Sequence, residues 1–151
     1  DEPFIDKKSL EKLLHAFEGS AVQVASVMKK MNDDSLIGNP NYVKVVVDKN
    51  MNALFFSRSI IPYPREREIA TTHYEHIGVY AFRKSALMQF TQWESTPLEI
   101  AEKIECLRYL ENGVTLKMIL TQHEGVKIDV PEDLQKAEKY LALVSTQNAA
   151  N

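Results

Sequence analysis

The sequence has few of the features that mark membrane-spanning, secreted or cysteine-rich metal-binding proteins. Its single cysteine, Cys106, excludes an internal disulfide and any cysteine-rich metal site. No stretch approaches the roughly 18 consecutive apolar residues of a membrane span. No positively charged start followed by an apolar core indicates a signal peptide. These absences favour a protein of the cytoplasm.

Negative charge slightly exceeds positive charge. The chain has 18 Lys and Arg residues against 21 Asp and Glu residues, which gives a formal net charge of −3. A general nucleic-acid binder usually carries a net basic surface. We therefore expect small molecules or proteins as partners, with no nucleic acid and no membrane. At 151 residues and 44% hydrophobic, the chain has the size and make-up of one globular domain.

The apolar pattern alternates between helical and strand-like stretches along the chain. Leu10, Leu13, Leu14 and Phe17 stand at helical spacing after Asp6, which predicts an amphipathic first helix. Further helices are predicted over 84–93, 98–111 and 131–144, and strands over 21–31, 76–83 and 116–121, with a hairpin at 43–59. This order predicts a mixed α/β fold, followed by a disordered tail at 145–151.

Two aspartates, Asp1 and Asp129, are candidates for positions at the ends of strands. Asp129 follows the strand-like stretch "VKID" and precedes a helix entered through Pro131. In open α/β sheets, ligands bind beyond such strand ends, although an acid here can also serve only as a helix cap. Asp1 would lie at a second strand end if "DEP" is an internal segment. Two such carboxylates suffice to hold Mg²⁺, whose remaining ligands are phosphates and waters.

The stretch "HIGVYAF" predicts a strand with two different faces. His76, Gly78, Tyr80 and Phe82 share one face, and Ile77, Val79 and Ala81 share the apolar other face. Glycine between the histidine and the tyrosine leaves room for a ligand that lies across the strand. His76 and Tyr80 then reach hydroxyl or carboxylate oxygens of a small polar molecule. An ordinary half-solvated sheet face is the alternative interpretation.

Charged residues elsewhere offer further candidates for the same cleft. Glu105 falls within the edge of the apolar stripe of the predicted helix 98–111, where an acid needs a salt bridge or a ligand. Arg58 and Arg65 lie in arginine-bearing segments that can bind carboxylates or phosphates, or can remain solvated. Cys106 has no basic neighbour in sequence and is expected to be an inert core thiol.

Taken together, five segments resemble the bacterial 3-deoxy-manno-octulosonate (Kdo) cytidylyltransferases in order and spacing. They are "DEP", "NPNYVKVVVDKNMNALFFSRSIIPYPR", "HIGVYAFRKSAL", "PLEIAEKIECLRYLENG" and "VKIDVPEDLQKAE". The resemblance implies transfer of CMP from CTP to Kdo, with release of pyrophosphate, for lipopolysaccharide biosynthesis. It also implies a mixed sheet of the nucleotide-diphospho-sugar transferase-like (Rossmann-like) fold, and a homodimer.

The resemblance assigns roles to individual residues. Asp1 and Asp129 match the family's catalytic aspartates, which hold Mg²⁺. The positions that in the family line the Kdo pocket are matched by Arg58, Arg65, His76, Tyr80 and Glu105. Cys106 stands where many relatives have glutamine, and Pro64 where many have aspartate.

In the family, "DEP" is internal and follows a nucleotide-binding half. The resemblance thus implies that residues 1–144 are the C-terminal part of one cytidylyltransferase domain, with a sheet incomplete at its N-terminal side. On its own this part is expected to be inactive. Two alternatives stay open, a cytidylyltransferase for another acid sugar such as sialic acid, and a non-catalytic dimerisation module built on the hairpin at 43–59.

Overall fold

The computed structural model describes residues 2–18, 21–66, 68–122, 125–126, 128, 131 and 133–149, the last seven by their backbone alone. Six helices and five strands occur in these ranges, and they form a mixed α/β fold, as predicted. The helices are α1 (Lys7–His15), α2 (Asp34–Ile37), α3 (Lys84–Phe90), α4 (Pro97–Glu102), α5 (Leu107–Glu111) and α6 (Asp133–Ala149). The strands are β1 (Val24–Lys30), β2 (Lys44–Val47), β3 (Ala53–Ser57), β4 (Tyr74–Phe82) and β5 (Leu116–Thr121).

The five strands form one mixed sheet in the order β3-β2-β4-β1-β5. Strand β1 pairs antiparallel with β4 and parallel with β5. The predicted hairpin is confirmed, since β2 and β3 pair antiparallel. Strand β2 also pairs with β4, but only through Lys44 with Glu75 and Val45 with Tyr74. None of the described helices is long and apolar enough to cross a membrane.

Two hydrophobic clusters cover the two faces of this sheet. The larger one, here called the aromatic face, is built on buried residues that include Met28, Phe56, Leu107, Tyr109 and Met118. The smaller one, here called the α1 face, contains Leu13, Ala25, Val27 and Ile77. Alternation along β1 and β4 sends successive side chains to opposite clusters, as the strand period requires.

The first helix forms as its sequence predicts. The Asp6 carboxylate accepts a hydrogen bond from the Ser9 backbone N–H at 2.9 Å, which caps the helix. Only part of the predicted apolar stripe is covered, since Leu13 is buried whereas Leu14 is 65% exposed. The hairpin differs from expectation in one respect. Phe56 is fully buried in the aromatic face, so it does not form a partner-facing pair with Phe55.

The single helix predicted over 98–111 is wrong, because the chain breaks into α4 and α5. Lys103 ends α4 in the left-handed conformation, at φ 54° and ψ 49°. The Arg58 guanidinium donates hydrogen bonds to backbone oxygens at this helix end. Its Nε donates to the Glu102 oxygen at 2.7 Å, and a terminal nitrogen donates to the Lys103 oxygen at 3.3 Å. A cation at a helix C-terminus also interacts favourably with the helix dipole.

The end of the chain also differs from the predicted boundary. Helix α6 runs to Ala149, so it includes residues 145–149 of the predicted disordered tail. This stretch contains no proline or glycine that would end a helix.

Candidate functional site

The candidate site is built on β4, whose residues alternate between the two faces as predicted. His76 contacts Phe56 and Tyr80, with ring centroids 4.9 Å and 5.3 Å away. Tyr80 stacks on Phe82 at 5.7 Å, and Phe82 stacks on Tyr109 at 5.9 Å. These rings form a continuous aromatic row, which holds His76 and Tyr80 in fixed orientations on the aromatic face.

Gly78 lies between His76 and Tyr80 and is exposed. A Cβ added at this position would meet no neighbouring atom within 4 Å. Gly78, unlike Gly113, does not have a positive φ, so a left-handed backbone does not require glycine at position 78. Gly78 lies where the β1–β4 register shifts, because Ser26 pairs with Tyr80 and Val27 with Ile77. The space beside Gly78 is open, and the ligand position expected there stays a prediction.

The α4–α5 turn brings Glu105 and Cys106 to this row. Glu105 is exposed, which corrects the expectation of an acid within the apolar stripe of a continuous helix. Its negative charge acts on both Tyr80 and Cys106, which places the three residues close together. His76, Tyr80, Glu105 and Cys106 are from here on called the β4 cluster.

Burial favours the uncharged forms of His76, Tyr80 and Cys106 in the β4 cluster. It lowers the pKa of His76 to about 4, so the ring is neutral at pH 7. Burial, followed by the neighbouring Cys106, raises the pKa of Tyr80 above its ordinary value. Burial also raises the pKa of the Cys106 thiol to about 12, which agrees with an inert thiol. The cluster therefore offers neutral hydrogen-bonding groups beside one exposed carboxylate.

The two predicted arginines lie in different settings. Arg58 donates hydrogen bonds to the backbone oxygens of Glu102, Lys103 and Pro40, the last at 2.8 Å. Its guanidinium thus fixes the turn that carries Glu105. Arg65 is exposed and makes no hydrogen bond or ion pair with the residues that the structure describes. The structure therefore links Arg58, but not Arg65, to the β4 cluster.

Both predicted metal ligands, Asp1 and Asp129, lie outside the described residues. Their sequence neighbours do converge, because Glu2, Val126 and Asp133 line one cavity of ≈ 180 Å³. The rings of Phe4 and Tyr140 also meet, with centroids 5.0 Å apart, so the N-terminal segment packs on α6. No group of three or more acidic, histidine or cysteine side chains with metal-binding geometry occurs among the residues described.

Several polar residues that were not predicted form ion pairs and hydrogen bonds around the site. Glu99 and Arg108 form a buried ion pair in which Nε of Arg108 lies 2.7 Å from the carboxylate. The Glu102 carboxylate accepts from the Ser57 hydroxyl at 2.6 Å and from the Arg58 backbone N–H at 3.0 Å. Ser26 is fully buried and lies 2.9 Å from His76. The sequence signal that could have identified Ser26 is its position as a small polar residue within the apolar stretch "VASVM".

Comparison with known proteins gives the family. A model of the family described as "Cytidylyltransferase" matches residues 1–128. The chain belongs to the cytidylyltransferase family. It is 52% identical over 145 residues to the 3-deoxy-manno-octulosonate cytidylyltransferase of Christiangramia forsetii, covering 94% of this chain and 58% of that protein. It is 46% identical over 144 residues to the protein of the same name from Flavobacterium johnsoniae, covering 93% of this chain and 59% of the relative.

A solved structure extends the likeness to three dimensions. The structure of CMP:2-keto-3-deoxy-manno-octonic acid synthetase complexed with CTP superposes with a TM-score of 0.86 at 33% identity. The match covers 95% of this cytidylyltransferase chain and 59% of that chain. These comparisons confirm the resemblance drawn from the sequence and the nucleotide-sugar transferase-like fold class. The chain spans a little under 60% of the length of the relatives it matches.

Proposed function

We propose that this chain supplies the acid-sugar site of an enzyme that transfers CMP from CTP to Kdo and releases pyrophosphate. The observation that carries the proposal is the β4 cluster beside the open position at Gly78, in a chain 52% identical to a protein named for this reaction. The cluster has the neutral donors and acceptors that orient sugar hydroxyls. Its role is to position the sugar, without covalent chemistry on the protein.

Each residue of the cluster has a definite part in this proposal. His76 and Tyr80 contact hydroxyl groups, and the exposed Glu105 carboxylate accepts from a further hydroxyl. Arg58 positions the α4–α5 turn through its bonds to backbone carbonyls. Arg65 remains the arginine available to the sugar carboxylate or to a phosphate, since it is exposed on the loop after β3.

We assign Mg²⁺ to Asp1 and Asp129. Carboxylate oxygens are the donors that this cation takes in proteins, and the cavity shared by Glu2, Val126 and Asp133 supports the convergence of the two segments. Bound there with CTP, the cation would neutralise charge on the triphosphate. The two aspartates hold the cation, and the β4 cluster holds the sugar.

The metal assignment is tested in the full-length gene product by Asp129→Asn. We expect loss of Mg²⁺-dependent pyrophosphate release with an unchanged melting temperature, because the change removes a ligand charge and preserves shape. The control is Glu138→Gln, which removes a carboxylate charge at an exposed position of α6 and should keep full turnover. Near-normal turnover by Asp129→Asn would remove this residue from the metal site.

The sugar assignment is tested by comparing acceptors. Purified full-length gene product is supplied with CTP and Mg²⁺, and pyrophosphate release is measured with Kdo and with sialic acid in parallel. We expect release with Kdo and little with sialic acid. Preference for sialic acid would instead support the alternative cytidylyltransferase, and release with neither sugar would contradict the proposed reaction.

We also propose that the enzyme acts in the cytoplasm and supplies activated sugar for lipopolysaccharide.

We propose further that it is a homodimer. Strand β3 lies at one edge of the sheet, and Leu54 on it is 61% exposed. An exposed apolar residue on an edge strand favours pairing with a second copy. Light scattering should show a dimer that Leu54→Lys converts to monomer. An unaltered dimer in this variant would place the interface elsewhere.

A further inference from the structure

The hydroxyl of Ser26 occupies a crowded polar position between β1 and β4. Its oxygen lies 2.9 Å from Nε2 of His76, 2.9 Å from the Val79 carbonyl oxygen and 3.2 Å from the Ile77 carbonyl oxygen. The pairing of the two strands shifts register at this point, between Ser26 and Val27. The Ser26 hydroxyl thus faces two carbonyl oxygens of β4 beside a β-bulge.

Counting protons assigns the direction of each hydrogen bond. A hydroxyl has one proton, and a carbonyl oxygen can only accept. If Ser26 gave its proton to His76, the Val79 oxygen would face a second oxygen at 2.9 Å with no proton between them. Such an arrangement is unfavourable in a fully buried position. Ser26 therefore donates to a carbonyl and accepts from Nε2–H of His76.

The other ring nitrogen of His76 is left as an acceptor. In a neutral imidazole, a proton on Nε2 leaves a lone pair on Nδ1. No residue among those described donates a hydrogen bond to Nδ1. Among the side-chain polar atoms described, only Oγ1 of Thr96 is both fully buried and without a partner. An unpartnered Nδ1 of His76 therefore keeps some contact with solvent. The low pKa of His76, caused by burial, agrees with a ring that stays neutral.

We propose that Ser26 is a positioning residue that holds His76 as the Nε2–H tautomer, so that Nδ1 accepts a hydrogen bond from a sugar hydroxyl. A carboxylate cannot donate to this lone pair, so the sugar's acid group lies elsewhere in the site. This inference rests on the proposed function for the identity of the sugar. The tautomer assignment itself depends only on the hydrogen-bond geometry around Ser26 and His76.

The tautomer is measured by ¹⁵N nuclear magnetic resonance of histidine-labelled full-length protein at pH 7, with His76→Gln used to assign the signals. We expect a protonated-type shift at Nε2 and an unprotonated-type shift at Nδ1. A proton on Nδ1, or a charged ring, would overturn the inference. If this protein transfers CMP to Kdo and still carries the proton on Nδ1, the inference fails while the proposed function stands.

Ser26→Ala and Ser26→Thr test the positioning role. Removing the hydroxyl should mix the two tautomers and raise KM for Kdo about fivefold with kcat nearly unchanged, the effect of one weakened hydrogen bond. Threonine retains the hydroxyl and should restore both the tautomer and most of the affinity. Unchanged tautomer and KM in Ser26→Ala would contradict the proposal. If Ser26→Ala does not fold, Ser26→Cys provides the weaker acceptor and should show the same mixing.

Discussion

The two faces of the sheet are built from different kinds of side chains. The aromatic face combines a row of rings with buried polar groups whose partners are fixed, such as Ser26 with His76 and Glu99 with Arg108. The α1 face is smaller and mostly aliphatic, with Phe17 at its edge, and it leaves Leu14 of its helix 65% exposed. Its polar contacts join neighbouring elements, since the Ser9 hydroxyl lies 2.5 Å from that of Thr121 and Nζ of Lys29 lies 3.2 Å from the Glu75 carboxylate. The difference between the faces is therefore the row of rings beside the candidate sugar site, which the α1 face lacks among the residues described.

Breaking the buried ion pair of the aromatic face should have the largest effect. Arg108→Met would leave the Glu99 carboxylate, 8% exposed in its side chain, without its partner and destabilise the fold by about 3 kcal/mol. Urea unfolding at pH 7 measures the loss. The matched control is Lys7→Met in the surface pair with Glu11, whose side chains are 89% and 60% exposed, and it should change stability by less than about 0.5 kcal/mol. Equal effects at the two sites would contradict the distinction.

On the α1 face, truncating Leu13 should lower the free energy of unfolding, whereas truncating its neighbour Leu14 should not. Leu13 is 2% exposed, so Leu13→Ala should cost about 2–3 kcal/mol through lost burial and an unfilled cavity. Leu14→Ala should cost less than about 0.5 kcal/mol, since that side chain already contacts solvent. The same urea titration serves both variants. A larger loss from Leu14 would mean that this residue is covered in solution.

A smaller effect should appear as pH dependence confined to the aromatic face. An unfolded histidine binds a proton near pH 6.5, whereas His76 in the folded protein stays neutral until about pH 4. The unfolded state therefore binds more protons in this window, and stability falls by about 2 kcal/mol as pH drops from 6.5 to 4. Unfolding of His76→Gln should lack this part of the slope. His15→Gln, at an exposed site on α1, should retain it. A wild-type slope in His76→Gln would assign the effect to other groups.

Local patterns predicted much of the fold. Apolar spacing gave α1, the hairpin and the two faces of β4, because each depends on neighbours within a few residues. The break at Lys103 was missed, since it depends on Arg58, 45 positions earlier in the chain. Ser26 was missed for the same reason, because its partner His76 is 50 positions away and the register shift is a tertiary feature. The local patterns marked candidate site residues such as His76 and Tyr80, and the resemblance added the roles that those patterns left open.

In the enzyme we propose, the aromatic face holds the sugar, and Asp1 and Asp129 hold the cation. A crystal structure of the full-length gene product with CTP, Mn²⁺ and Kdo tests it most directly. We predict density for Kdo against Nδ1 of His76 and an anomalous peak within ligand distance of both aspartates. Kdo bound on the α1 face would rule out the aromatic face as the sugar site, and a peak that touches neither aspartate would rule out the metal assignment.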